Sequence, residues 1–144
     1  MMGSSSDRAA ALVQAIEATV TGDSRVVGEL YVDDVQGWSP TMTVTSAAQL
    51  AVELEDRQDA FSDIELDVTP LDVGDDQACV EWIATATHSG PLVVDEDVVI
   101  EPSGGRFTLR GVTVADFEGD RIRAFRQYWD EVSLLEQLQL LPTE

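Results

Sequence analysis

Three observations predict an α+β fold with an antiparallel sheet. Segments of helical period crowd the first sixty residues. Long segments of alternating period fill most of the rest, joined by short turns. The period then changes once more at Asp130, where a strand runs into a short amphipathic helix. Runs of helices followed by runs of strands argue for α+β, with one sheet face covered by the helices.

In chain order, Asp7 to Thr21 reads as a helix, with Ala9, Val13, Ile16 and Val20 at helical spacing. Gly22 is its stop signal. Asp23 or Ser24 can cap a second, shorter helix that buries Val26, Val27 and Leu30. A short segment, Val35 to Ser39, follows Asp33-Asp34 and ends at Pro40. Ser46 and Gln49 form a capping box for a third helix, whose inner face is Ala47, Leu50, Ala51 and Leu54 and which ends near Asp59. Phe61 to Val73 alternates as a half-buried strand, and Gly74-Asp75-Asp76 is a turn.

The next strand, Gln77 to Ser89, has two clear faces. Ala78, Val80, Trp82, Ala84, Ala86 and His88 share one; Cys79, Glu81, Ile83, Thr85 and Thr87 share the other. Gly90-Pro91 ends it. Between Leu92 and Ser103 the pattern is weak, with Val98 to Ile100 a candidate edge strand. Gly104-Gly105 turns the chain into Arg106 to Phe117, which places Val112, Val114 and Asp116 on one face. Glu118-Gly119-Asp120 is a hairpin turn into Arg121 to Trp129. Val132, Leu135 and Leu138 give the last helix its stripe. Residues 7–144 therefore form one domain behind a disordered lead-in at 1–6.

The charge balance excludes some partners. The chain holds 28 acidic against 8 basic residues, a net charge of −20, and every basic residue is arginine. The acids interleave with apolar residues and read as solvated faces of folded elements. Phosphates would be repelled, which argues against nucleic acid and anionic membrane surfaces. Adaptation to high salt, where repulsion is screened over a few Å, accounts for such a surface. So does an ordinary acidic protein of a GC-rich genome, or a decoy for a basic partner. No apolar run approaches the ~20 residues of a membrane helix. The N-terminus lacks the basic start and apolar middle of a signal peptide, and the single cysteine, Cys79, permits no internal disulfide. Cytoplasmic location is the expectation.

Several stretches, taken in order, carry a resemblance. They are Glu29-Leu30-Tyr31-Val32-Asp33-Asp34-Val35; Ala86-Thr87-His88-Ser89-Gly90-Pro91; Arg110-Gly111-Val112-Thr113-Val114; Gly119-Asp120-Arg121-Ile122; Tyr128-Trp129-Asp130; and Leu134-Leu135 with Leu140-Leu141-Pro142. Together they resemble the SnoaL-like, polyketide cyclase type of the nuclear transport factor 2-like superfamily. The resemblance implies a cone: a curved antiparallel sheet wrapped around helices, with a cavity at one end, often paired as a homodimer through the outer sheet face. It also implies a small hydrophobic ligand and no cofactor. Members include cyclases, isomerases, hydrolases and proteins with no known reaction, so function must be argued from the site.

Asp130 is the first candidate for catalysis. The resemblance places a carboxylate at this strand end, and an apolar cavity raises a carboxyl pKa toward the range useful for proton transfer. Asp130 is equally a natural N-cap for the last helix. His88, the sole histidine, could pair with it if the face shared with Trp82 lines the cavity; it could also sit exposed at a strand end. Asp116 is the third candidate, on the strand where the cyclases often carry a histidine that this chain lacks; a surface position before the turn is the plainer reading. Trp38, Trp82, Tyr128 and Trp129 are candidate ligand-binding walls, two of them expected to touch the cavity. Arg126 shares a face with Tyr128 and Asp130 and could pair with that carboxylate, lowering its pKa. One histidine and one cysteine cannot build a common zinc site. No phosphate-binding glycine loop or nucleophile elbow is present.

Two readings follow. One is a cofactor-free acid/base enzyme acting on a small hydrophobic molecule as a cyclase, isomerase or hydrolase. The other is a non-catalytic ligand-binding or dimerisation module on the same fold. Polar groups that converge on one point in the cavity would favour the first. An acidic interaction protein would need its acids concentrated on one surface, and they are spread along the chain.

Overall fold

A computed structural model describes residues 5–40, 42–56, 58–71, 76–95 and 98–137. The chain begins with helix α1 (Ser5–Thr21), a 3-10 turn (Ser24–Val26) and helix α2 (Val27–Leu30). Strands β1 (Tyr31–Ser39) and β2 (Met42–Val44) precede helix α3 (Ala47–Glu55). Then come β3 (Phe61–Leu71), β4 (Gln77–His88), β5 (Leu92–Asp95), β6 (Val98–Ile100), β7 (Arg106–Glu118), β8 (Arg121–Trp129) and helix α4 (Glu131–Gln137). Six strands form one sheet in the order β2-β1-β8-β7-β4-β3. Every pairing in it is antiparallel except β1 with β8, which is parallel, so the sheet is mixed.

The helix caps follow from their sequence. Asp23 accepts a hydrogen bond from the Arg25 N–H and opens the 3-10 turn. Ser46 Oγ accepts from the Gln49 N–H at 3.1 Å. The Gln49 side chain, however, reaches back to the Thr45 N–H at 2.7 Å, one residue beyond the Ser46 N–H of the reciprocal capping-box bond. Gly22 closes α1 with φ +76°, and a Cβ there would sit 2.5 Å from Gln58 Cα, so only glycine fits.

α1 starts two residues before the expected boundary, so Ser5 and Ser6 belong to a helix and not to a lead-in; Met1 to Ser4 lie outside the described residues. Its buried side is Arg8, Leu12, Ala15, Ile16, Ala18 and Thr19, rotated from the expected stripe; Ala9, Val13 and Val20 are half-buried. Two polar groups allow that rotation. Thr19 Oγ1 donates to the Ala15 carbonyl at 2.8 Å. The Arg8 guanidinium lies over the Phe117 ring, donates to the Gly119 carbonyl and faces Asp76 at 3.5 Å. α3 stops at Glu55, before the expected Asp59.

β1 is longer than expected because it begins ahead of the Asp33-Asp34 pair, and its register against β8 shifts between Tyr31 and Gln36 to absorb those acids. β2 was not foreseen in the sequence. β3 carries a similar irregularity between Ser62 and Glu65, where Asp63 adopts φ 50°. Val98 to Ile100 does form a strand, but it pairs with β5 in a separate hairpin and is not an edge of the main sheet. The turn at Gly74-Asp75, Leu138 and the segment Leu140-Leu141-Pro142 lie outside the described residues.

The core fills the space between the helices and one sheet face. All six residues of the β4 face from Ala78 to His88 are buried there. Register carries this face across the sheet, because directly paired residues share a side. Ala78, Val80, Trp82, Ala84 and Ala86 oppose Ala115, Thr113, Gly111, Leu109 and Phe107 of β7. Gly111, Thr113 and Ala115 in turn oppose Trp129, Gln127 and Phe125 of β8. The other face, with Glu81, Ile83, Arg110, Val112, Arg126 and Tyr128, is outside.

Candidate functional site

The register decides where each candidate stands. Trp82, Gly111 and Trp129 form one cross-strand row, and Asp130 follows Trp129 directly. His88 is six residues further along β4 and Asp116 five residues further along β7, in the opposite direction. At about 3.3 Å per residue these separations are about 20 Å and about 17 Å. The structure does not bring Asp130, His88 and Asp116 together, so the expected proton-transfer pairing does not form.

Asp130 is exposed and starts α4: its Oδ1 accepts from the Ser133 N–H at 3.0 Å. The Trp129 indole N–H donates to Glu131 Oε2 at 3.1 Å and fixes the same junction. Arg126 does not reach Asp130. Its guanidinium donates to Asp116 Oδ2 at 3.2 Å, because both lie on the outer face. Gln77 donates to the other Asp116 oxygen at 2.6 Å. Burial pushes the Asp116 carboxyl up. The hydrogen bonds from Gln77 and Arg126, with the charges of Arg126 and Arg123, outweigh that and leave it below its ordinary pKa.

His88 is not exposed; it is fully buried against the 103–105 turn. Its Nδ1 accepts from the Ser103 N–H at 3.3 Å, its backbone N–H donates to the Gly105 carbonyl, and its carbonyl accepts from the Gly104 N–H. Nε2 therefore carries the proton of the neutral ring, and it has no hydrogen-bond partner among the described residues. Burial holds the imidazole below its ordinary pKa, against a smaller opposite pull from the Gly90 backbone. Cys79 is also buried; burial and Glu81 push its thiol up, which disfavours the thiolate. Among the described residues no group of three His, Cys, Asp or Glu could hold a metal ion.

The aromatic candidates divide between the two faces. Trp82 and Trp129 meet inside, edge to face, with ring centroids 6.1 Å apart. Trp38 and Tyr128 pack on each other outside, 43% and 50% exposed, with centroids 5.3 Å apart. Beside that outer pair runs a groove of about 490 Å³ that Asp67, Glu81, Ile83, Arg110, Tyr128 and Asp130 help to line. It opens on the outer face, and Trp82, Gly111 and Trp129 of the inner row also line it.

The inner face holds a set of groups not foreseen in the sequence. Thr113 and Gln127 are direct partners across β7 and β8 and are buried. Ser39, also buried, follows Trp38, whose partner is Arg126, and so falls beside Gln127. A row of three neutral polar side chains thus crosses three adjacent strands. Trp82 leans over Gly111 and donates its indole N–H to Thr113 Oγ1 at 2.9 Å. Ser39 Oγ accepts from the Met42 N–H at 3.2 Å. Gln127 Oε1 has no partner among the described residues. The signal for this row was strand parity: Thr113 and Gln127 sit one place off the Val112 and Tyr128 faces.

Residues 10–138 match the SnoaL-like polyketide cyclase family. The chain belongs to that family. Solved structures agree in fold. A SnoaL-like polyketide cyclase candidate from Jannaschia sp. CCS1 is 16% identical, with a TM-score of 0.78 over 95% of this chain and 94% of that one. AclR from Streptomyces galilaeus, described as a hydroxylase candidate, is 23% identical, with a TM-score of 0.75 over 98% of this chain and 86% of its own. A hypothetical protein of ketosteroid isomerase-like fold from Catenulispora acidiphila, solved with trimethylamine, is 18% identical, with a TM-score of 0.67 over 90% of this chain and 92% of that one. Such identities establish the SnoaL-like α+β fold. None of the curated proteins matches the chain. No described helix is long and apolar enough to cross a membrane.

Proposed function

We propose that this SnoaL-like protein binds a small hydrophobic molecule and holds it by aromatic and neutral groups. The observation that carries the reading is the wide separation of the titratable candidates. Asp130 caps a helix, Asp116 is paired with Arg126, and His88 packs under a turn. Beside Trp82 the polar side chains are the neutral Thr113 and Gln127 instead. Groups of that kind orient a ligand but do not move protons at neutral pH.

A second reading is the cofactor-free acid/base enzyme, of cyclase, isomerase or hydrolase type. One observation favours it: Asp130 borders the outer groove and spends only Oδ1 on the cap. The two readings separate in one experiment. The protein is incubated with a panel of hydrophobic carbonyl compounds, with binding followed by tryptophan fluorescence and product by mass spectrometry. Binding without turnover supports the first reading. Turnover that disappears in Asp130→Asn, which retains a capping oxygen, would transfer the proposal to the second. Asp130→Ala is the structural control and is expected to lose about 1 kcal/mol of stability.

The functional unit in this proposal is a cytoplasmic homodimer paired through the outer sheet face. That face supports the pairing by its charge. Glu65, Asp67 and Glu81 lie on its β3–β4 half, and Arg106, Arg110 and Arg126 on its β7–β8 half; Arg106 faces Glu65 and Arg126 is held by Asp116 within the chain, which leaves Arg110 for the partner's acids. A twofold axis sets each half against its opposite. Light scattering that gives a monomer mass at both low and molar salt would remove the dimer from the proposal.

A further inference from the structure

We infer that α4 is a hinged lid: it swings open about Asp130 and bares the Trp82–Trp129 row to an entering hydrophobic molecule. The opening stands on the structure alone; its use as a ligand gate rests on the binding reading above. β8 pairs with β7 only from Gly111 to Glu118. Among the described residues, Arg106 to Arg110 of β7 have β4 on one side and no strand on the other. α4 lies against β7. There the side-chain amide of Gln137 stands in for a missing strand. The Thr108 N–H donates to its Oε1 at 2.8 Å, and its Nε2 donates to the Thr108 carbonyl at 2.8 Å.

Burial does little to hold the helix. None of its residues is fully buried, and Leu134 is the one that packs against the core. A helix of seven residues is marginal by itself. Its other ties are polar and sit at its start: the Asp130 cap and the Trp129 indole on Glu131. The Gln137 pair is exposed, so water replaces it at little cost. Asp130 belongs to neither strand nor helix, and a change in its backbone angles moves α4 as a unit. Opening lifts Leu134 off the core and Glu131 off Trp129. Trp82, Gly111 and Trp129 already line the groove, so the vacated space is continuous with it. Departure of the helix makes the room, and the ligand binds the open form.

Amide hydrogen exchange of the full chain, read by mass spectrometry, tests the opening. The α4 amides are expected to exchange about a hundredfold faster than those of the β7–β8 hairpin, because the helix opens without the sheet. Gln137→Met keeps the length of the side chain and loses its amide. It is expected to speed α4 exchange about tenfold and to leave the hairpin unchanged. Equal protection of α4 and hairpin in wild type, or an α4 rate that Gln137→Met does not move, overturns the lid. Titration with Nile red, a neutral hydrophobic dye, tests the gate. A ligand of the open form gains affinity in proportion to the open fraction. Gln137→Met is therefore expected to tighten dye binding by up to about tenfold, although it removes both bonds to Thr108. Equal or weaker binding by the variant overturns the gate and leaves the binding reading standing. Should the dye bind neither protein, the binding reading and the gate both fall, and exchange decides the lid. Should Gln137→Met not fold, the wild-type comparison of α4 with the hairpin still decides.

Discussion

Gly111→Ala tests how the inner face is packed. A Cβ at position 111 would lie 2.2 Å from Trp82 Cζ2 and 2.6 Å from Cη2, where ordinary contact begins at 3.4 Å. The indole must therefore retreat by more than an ångström. It is buried, stands edge to face with Trp129, and donates to Thr113 at 2.9 Å, so a retreat of that size breaks the bond. Overpacking costs about 1–3 kcal/mol. Leaving the indole N–H and its acceptor unpaired adds about 1–3 kcal/mol. Gly111 does not occupy the left-handed region, so alanine returns about 0.4–1 kcal/mol by restricting the unfolded chain. The expected net loss is about 1–6 kcal/mol, centred near 3, a fall in Tm of roughly 10 °C for a domain of this size. Urea denaturation followed by tryptophan emission measures it. In a double-mutant cycle, Trp82→Leu should absorb much of the cost, because the clash needs both side chains. A Gly111→Ala variant within about 0.5 kcal/mol of wild type, at the margin of an ordinary surface substitution, refutes the packing argument.

Two further perturbations read the electrostatics. His88 is held neutral, with its folded pKa below the ordinary 6.5, so the unfolded chain takes up the proton first as pH falls. Stability is complete above pH 6.5 and declines from there down to the lowered folded value; urea midpoints should follow that course in wild type and not in His88→Phe, and a flat midpoint across this window contradicts the burial argument. The net charge of −20 predicts a Tm that rises between low and molar sodium chloride as self-repulsion is screened, and an unchanged Tm removes the high-salt reading.

The strands were legible in the sequence wherever alternation was strict. In β4 small and apolar residues alternate with polar ones, and its inner face came out residue for residue. The first helix was harder, because Ala and Thr are weak markers of either environment and Arg8 buries its stem under a charge that is met elsewhere. β1 was cut short because two aspartates in a row look like a loop, whereas a register shift carries them within the strand. The site was read less well for a chemical reason. Attention went to ionisable residues, which are the ones that catalyse. Solvation draws such groups outward, and Asp130, Asp116 and Arg126 followed it. His88 stayed inside, and with it, on the same sheet face, Ser39, Thr113 and Gln127, types that composition assigns to the surface and that only strand parity places in the core.

The parallel pairing of β1 with β8 has a consequence for synthesis. Tyr31 finds its partner in Ile122 and Gly37 in Phe125, so the first strand made waits for the last. No nascent fragment lacking β8 can complete the sheet, and Phe125, which covers Gly37, arrives with that strand. A sheet closed by a pairing this distant in sequence folds more slowly than one built only of hairpins. Until then β1 presents an open, partly apolar edge, where two aspartates side by side discourage pairing with the wrong strand.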